Sequence, residues 1–148
     1  MYWPEFAAQE PELAALGRKL LAEEHGYVFL ATVAKDGSPR VHPIVALIGD
    51  RGPIVAVKQG SPKLADLRRD PRLALHSTVH PPDDEEFSIR GIAHELVGPE
   101  ARQAALEGAT IGGSLDKMVL FELELLHIGH ATWPSPGVTT RRRWRPTE

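Results

Sequence analysis

YVFLATVAKDGSPRVHPIVALIGDRGPIVAVKQGSPKLADLRRDP, residues 27–71, decides the fold. Two β-rich runs, Tyr27–Val33 and Arg40–Ile48, are joined by a turn built on Asp36-Gly37. A third run, Ile54–Gln59, follows a second turn at Gly49–Pro53 and stops at Gly60. Ser61-Pro62-Lys63 then opens a helix, with Ser as N-cap, Pro at N1 and Lys at N2. Free backbone N–H groups, the positive end of the helix dipole and an ammonium converge there, which suits an anion. The same turn also reads as an ordinary capped helix whose lysine faces solvent.

Working outward, Pro11–Glu24 reads as a helix, with Leu13, Leu16, Leu20 and Leu21 on one stripe and Gly26 as its stop. Pro62–Asp70 is a short helix with Leu64 and Leu67 inward, ended by Pro71. Leu73–Val79 and Phe87–Leu96 read as strands four and five around an acidic loop, Pro81–Glu85. Pro99–Glu107 is a short helix and Gly108–Ser114 a Gly-rich connection. Lys117–Trp133 is strand six, with Glu122 and Glu124 on one face and Val119, Phe121, Leu123 and Leu125 on the other. The tail, 134–148, reads as irregular. The sum is a single mainly-β domain over 1–148: a six-stranded antiparallel split barrel, about 27–133, with short helices.

Strand one is apolar on both faces, so a helix or a second subunit is expected to cover it outside. In strand two, Arg40 and His42 share a face, roughly 7 Å apart. Pro43 cannot donate to a ladder and belongs at an edge, a bulge or a gap. A gap in a barrel beside two polar side chains is a place for a flat ligand. Lys58 ends strand three, so Arg40, Lys58 and Lys63 gather at one helix N-terminus. Three such cations need an anion to offset their repulsion. Arg68 and Arg69 sit in the last turn, meet the negative end of the dipole, and read as structural.

Bulk composition removes several classes. With 148 residues, 42% hydrophobic and 25% charged, the chain can bury a core. No cysteine means no disulfide, thiolate nucleophile or thiolate metal site. The seven histidines fall into no ligand spacing: His76 and His80 are roughly 13 Å apart on a strand, and His127 and His130 face opposite ways. No metal site is expected, although a lone axial histidine to haem needs no motif. The net charge of -3 argues against nucleic acid. No run is long enough for a membrane span, and no secretory pattern opens the chain, so a cytoplasmic protein is expected. No nucleophilic triad, GxGxxG or P-loop pattern is present. Arg141-Arg142-Arg143-Trp144-Arg145 is the one basic cluster. It reads as a solvated terminus, as a partner for a phosphorylated ligand, or, weakly, as a nucleic-acid contact.

FLATVAKDGSPRVHPI, then IVAVKQGSPKLADLRRDPRLALHS, then EEFSIRGIAHEL resembles the pyridoxamine 5′-phosphate oxidase-like split-barrel superfamily, over roughly Leu13–Trp133. The closing Arg143-Trp144-Arg145-Pro146 also resembles the end of many short members. The resemblance implies a homodimer that binds FMN, or the deazaflavin coenzyme F-420, and acts as an oxidoreductase on a small molecule. It implies a cofactor phosphate held by Arg40, Lys58, Ser61 and Lys63, beside Gln59, with the ring along His42, Pro43 and Ile44. No catalytic acid or base is implied. The Arg-Leu-His substrate motif of the true pyridoxamine phosphate oxidases is absent, which speaks against that substrate. Haem-degrading relatives share the barrel, so a non-catalytic FMN- or haem-binding protein is the alternative.

Overall fold

The structure is a computed structural model and describes residues 1–23, 26–82 and 84–147, with the backbone alone at Glu23. In chain order the elements are α1 (Trp3–Gln9), α2 (Pro11–Arg18), a π-helical turn (Lys19–Glu23), β1 (Tyr27–Val33), β2 (Pro39–Val45), β3 (Leu47–Gly49) and β4 (Gly52–Lys58). Then follow α3 (Pro62–Arg69), β5 (Arg72–Ser77), β6 (Glu85–Glu95), α4 (Pro99–Leu106), β7 (Met118–Ser135) and β8 (Val138–Trp144). The protein is mainly β and antiparallel, as expected. The strand order is β2-β1-β5-β6-β7-β4-β3, with β8 paired to β7. The ladder therefore ends at β2 and β3 and does not close, consistent with a split barrel.

Among the described residues there are eight strands where six were expected. Expected strand two is divided at Ala46, whose N–H makes a last bond in the register of β1, to the Gly26 carbonyl at 3.0 Å. The chain past it, β3, pairs with β4 instead of β1. The second addition is β8, in the tail expected to be irregular. Ser135 faces Val138 across a two-residue turn with Gly137 at φ 78°, a conformation glycine takes without a Cβ clash. Trp144 is buried, 4.8 Å from the Phe6 ring, and anchors this strand.

The amino-terminal region also differs. Pro11 opens a helix as expected, but an undetected helix, α1, precedes it, and the expected run to Glu24 becomes a π turn after Arg18. Glu24 itself, like Asp83 of the acidic loop, lies outside the described residues. The helix α1 is held by burial: Trp3 and Phe6 are nearly inaccessible, with ring centroids 5.1 Å apart. A Cβ on Gly52 would sit 2.3 Å from that of Trp3, so β4 accepts the indole only because residue 52 is glycine. Arg18 fixes the pair from outside, donating to the Gly49 and Asp50 carbonyls at 3.0 and 3.1 Å.

The main core runs from these aromatics through Val28, Leu30, Phe87, Leu125 and Ile128. A smaller one, Leu47, Ile54, Ala56, Ala105 and Leu120, lies under α4. A bulge between Arg90 and Gly91 pairs them with His127 and Leu125, which leaves Leu126 over and lets both Leu125 and Ile128 point inward. Outside, Tyr27, Phe29, Val41 and Val45 are exposed at 57, 43, 60 and 57%. Register places them on one face of the β1–β2 ribbon.

Trp144→Ala is expected to destabilise the fold by about 3 kcal/mol, the cost of emptying a buried aromatic site. Val138→Ala, at the exposed start of the same strand, is expected to change stability by under about 0.5 kcal/mol. Urea unfolding of both variants checks this. Two equally small effects would mean the tail is not part of the fold.

Candidate functional site

The helix α3 begins as the sequence suggests. Ser61 is extended (φ -75°, ψ 149°) and its hydroxyl accepts from the Leu64 N–H at 3.3 Å, while Pro62 occupies the first turn. Leu64 and Leu67 turn inward. This places Lys63, half-buried, beside Lys58 at the end of β4. Both lysines line a cavity of about 450 Å³. Its other walls are Ile44 and Val45 of β2, Leu47 of β3, Ala56 and Val57 of β4, residues 111–115 and Met118. Among the described residues neither ammonium has a carboxylate partner. An apolar slot with two cations at its edge suits a flat ligand that carries an anion.

Arg40 is not in this lining. Its Nε donates to Asp66 at 2.7 Å. It lines a separate shallow depression with Ala34, Lys35, Asp36 and Ser38. The anion that the sequence seemed to require for Arg40 is thus supplied internally. Asp66, 3% exposed, also accepts from the Thr32 hydroxyl at 2.8 Å and from Arg69 at 3.0 Å. Burial pushes the Asp66 carboxyl up, but the bonds from Thr32, Arg40 and Arg69 outweigh it and hold it below the ordinary aspartate value. Arg69 also reaches the Val33 carbonyl at 3.0 Å, and Arg68 pairs with Glu95 at 2.7 Å. Both therefore serve the fold, as their place in the last turn suggests.

The remaining expected residues are scattered. His42 faces Leu30 across the ladder, half-buried, and its Nε2 is shut off from solvent without a hydrogen-bond partner. Such a nitrogen is the kind of group that a ligand or a subunit satisfies. Pro43 faces Phe29 on the outer side of the edge strand β2, where a missing N–H costs nothing. Gln59 is exposed and its N–H donates to the Lys117 carbonyl at 3.1 Å. Sequence reasoning missed Asp66 and the wall at 111–115. The signal for Asp66 was an acid within the inward stripe of a helix, three residues before an arginine. Among the described residues no group of three metal-ligating side chains exists. Among the described residues no helix is long and apolar enough to cross a membrane.

Comparison with known proteins now decides the family. The profile described as "Pyridoxamine 5'-phosphate oxidase" matches residues 18–128. The chain belongs to the pyridoxamine 5′-phosphate oxidase family. Among curated proteins none matches. Similar solved structures include PhzG from Burkholderia lata in complex with tetrahydrophenazine-1-carboxylic acid, at 18% identity and TM-score 0.65, covering 97% of this chain and 87% of that one. An F-420 reductase is similar at 17% identity and TM-score 0.54, covering 75% and 94%. A heme binding protein from Mycobacterium smegmatis is similar at 17% identity and TM-score 0.61, covering 84% of this chain. This chain spans only 55% of that protein's length. At these identities the likeness is one of fold. Members of one architecture thus carry different ligands, and the choice among them rests on the residues of this chain.

Asp66→Asn is expected to destabilise the protein by about 2 kcal/mol at neutral pH. That is below the usual cost of breaking a buried ion pair, because both arginines are half-exposed. The carboxyl is held below its ordinary value of 3.8. Its contribution is therefore complete above that pH and lost as pH falls through the depressed value. Thermal unfolding between pH 7 and 2 should show the wild type losing its advantage over the variant in acid. A gap independent of pH would contradict the ionised hub.

Proposed function

We propose that this protein binds a phosphate-bearing flavin, FMN or the deazaflavin F-420, and uses it as an oxidoreductase on a small molecule. The observation that carries this is the cavity with Lys58 and Lys63 at its edge and aliphatic walls from β2, β3 and β4. Lys58 and Lys63 would hold the phosphate, one as the end of a strand and the other as the N2 residue of α3. The Ser61 cap leaves the helix N-terminus free to add its dipole. Ile44, Val45, Leu47 and Met118 would cover the ring and exclude water. A bound flavin supplies hydride transfer, and the protein supplies position and a dry wall. The same lining holds no carboxylate or imidazole.

That lack supports a second reading, in which the same slot holds the flavin without turnover. It supports haem less, since the cavity has no histidine for an iron.

We further propose that the working unit is a homodimer. The exposed apolar stripe of Tyr27, Phe29, Val41 and Val45 is the surface that a second copy would cover. Sedimentation should give a dimer at micromolar concentration, and a Phe29→Glu, Val41→Glu double variant should be monomeric. A wild-type monomer would count against this interface.

Titration decides the cofactor. Lys63→Ala is expected to weaken FMN by about tenfold to a hundredfold, the worth of one charge-assisted hydrogen bond. Riboflavin, which lacks the phosphate, should be nearly indifferent. Equal losses for the two ligands, or none for either, would mean that Ser61-Pro62-Lys63 is only a capped helix. With the cofactor bound, reduction under a nicotinamide donor separates an oxidoreductase from a store.

A further inference from the structure

We propose that the open end of the split barrel, between Trp133 and Asp84, is a binding site for an organic ammonium ion. It stands independently of the flavin reading and shares no residue with the cavity at Lys58 and Lys63.

Strand alternation builds it. Ile89 pairs with Ile128 and Phe87 with His130, and Ile89, Ile128 and Phe87 are wholly buried on the inner face of the sheet. Two residues further along, Glu85 pairs with Thr132. That row shares the inner face but lies where the apolar core has ended. The Trp133 backbone N–H then donates to the Asp84 carbonyl at 3.2 Å, which ties the end of β7 to the loop between β5 and β6. The buried Leu20 of the π-helical turn closes the cavity from the side of the core. The space enclosed is about 840 Å³, nearly twice that at Lys58 and Lys63. The ends of barrels are common places for ligands.

The polar groups of this lining are unequally paired. Glu85 meets the His130 ring at 2.7 Å through one oxygen. The His80 ring meets the Thr78 hydroxyl at 3.0 Å. Lys19, the one ammonium in the lining, is already engaged. Asp84 is half-buried, and its backbone is used twice, accepting from Trp133 and donating to the Pro82 carbonyl at 2.9 Å. Among the described residues its carboxylate has no partner. The Trp133 indole N–H and the Thr132 hydroxyl have none either. The surplus is therefore one anion and two neutral donors beside an aromatic ring.

That surplus narrows the ligand. A carboxylate alone would take any cation. A metal ion would want several ligating side chains, and among the described residues no group of three exists. An indole attracts organic cations through its face, most strongly once they shed water. An alkylammonium does so easily, because its charge lies under methyl or methylene groups. Pro81, Pro82 and Pro134 on the rim offer those groups an apolar surface. The two neutral donors suit an oxygen on the same molecule. An anionic ligand such as a flavin phosphate would be repelled by Asp84 and Glu85, so this end of the barrel is no alternative seat for the cofactor.

Titration with choline tests the site, followed by calorimetry and by tryptophan fluorescence. Trp3 and Trp144 are buried, at 2 and 8% exposure, so the fluorescence change should come from Trp133. Choline is expected to saturate, and 3,3-dimethylbutan-1-ol, its neutral isostere, to bind at least about tenfold more weakly. Asp84→Asn should lose about tenfold in choline affinity and leave the isostere unchanged. Asp116→Asn, the same charge change elsewhere, should lose little. Trp133→Leu should weaken choline and abolish the fluorescence response, and Lys63→Ala should keep both. Equal binding of choline and its isostere would show an apolar cleft with no cation site. Equal losses in Asp84→Asn and Asp116→Asn would show net charge alone. No saturation at millimolar choline, or displacement of choline by inorganic phosphate, would overturn the assignment.

Discussion

One carboxylate joins the parts of the molecule that matter most to the candidate site. Asp66 of α3 takes the Thr32 hydroxyl from β1, the Arg40 guanidinium from β2 and Arg69 from its own helix. A carboxylate this deeply buried would cost several kcal/mol if left without donors. With three of them it is stable only when both strands and the helix are in register. The constraint matters because β2 is an edge strand with a ladder partner on one side only. The helix α3 in turn carries Ser61 and Lys63 in its first turn, one turn before Asp66. The same bond network that ties down the edge of the sheet therefore fixes where the helix N-terminus points. Arg40 therefore supports the first turn of α3 through this scaffold and does not reach into the cavity at Lys58 and Lys63.

Much of the fold was legible because punctuation and pattern agreed. Residues 27–33 form a strand with the expected bounds, since Gly26 and the Asp36-Gly37 turn flank an unbroken β-prone run. Pro62 and Pro71 set the limits of α3. The break at Ala46 was not legible, because PIVALI is equally apolar on both sides of it and what changes there is the partner, from β1 to β4. The helix α1 was hidden by its length, seven residues, which gives Trp3 and Phe6 only one turn of period. The strand β8 was obscured by its charge, although Pro136-Gly137 and the β-branched Val138, Thr139 and Thr140 were usable signals.

For the site, charges of one sign were easier to read than their partners. Lys58, Ser61 and Lys63 announce themselves by position at a strand end and a helix start. Asp66 does not, because its partners lie 34 and 26 residues away. Periodicity marks an inward-facing acid as an exception without saying what it meets. The wall at 111–115 was legible only as a glycine-rich connection, since its place across the cavity from β2 and β4 is set by the tertiary fold.

The outer face of the sheet is divided, and the division has a physical consequence. Its β1–β2 half is apolar, while its β6–β8 half is basic over a floor of small residues. Phe29 faces His76 on β5, and His76 faces Ser88 on β6, so the two halves meet along one register row. If a second copy covers the apolar half, it removes water from one flank of the basic half. Arginines beside a dry wall hold an anion more strongly than arginines in open water, because the effective dielectric falls. They also repel one another more strongly when the groove is empty. The apolar half and the basic half are thus linked through the water they share, whatever covers either of them.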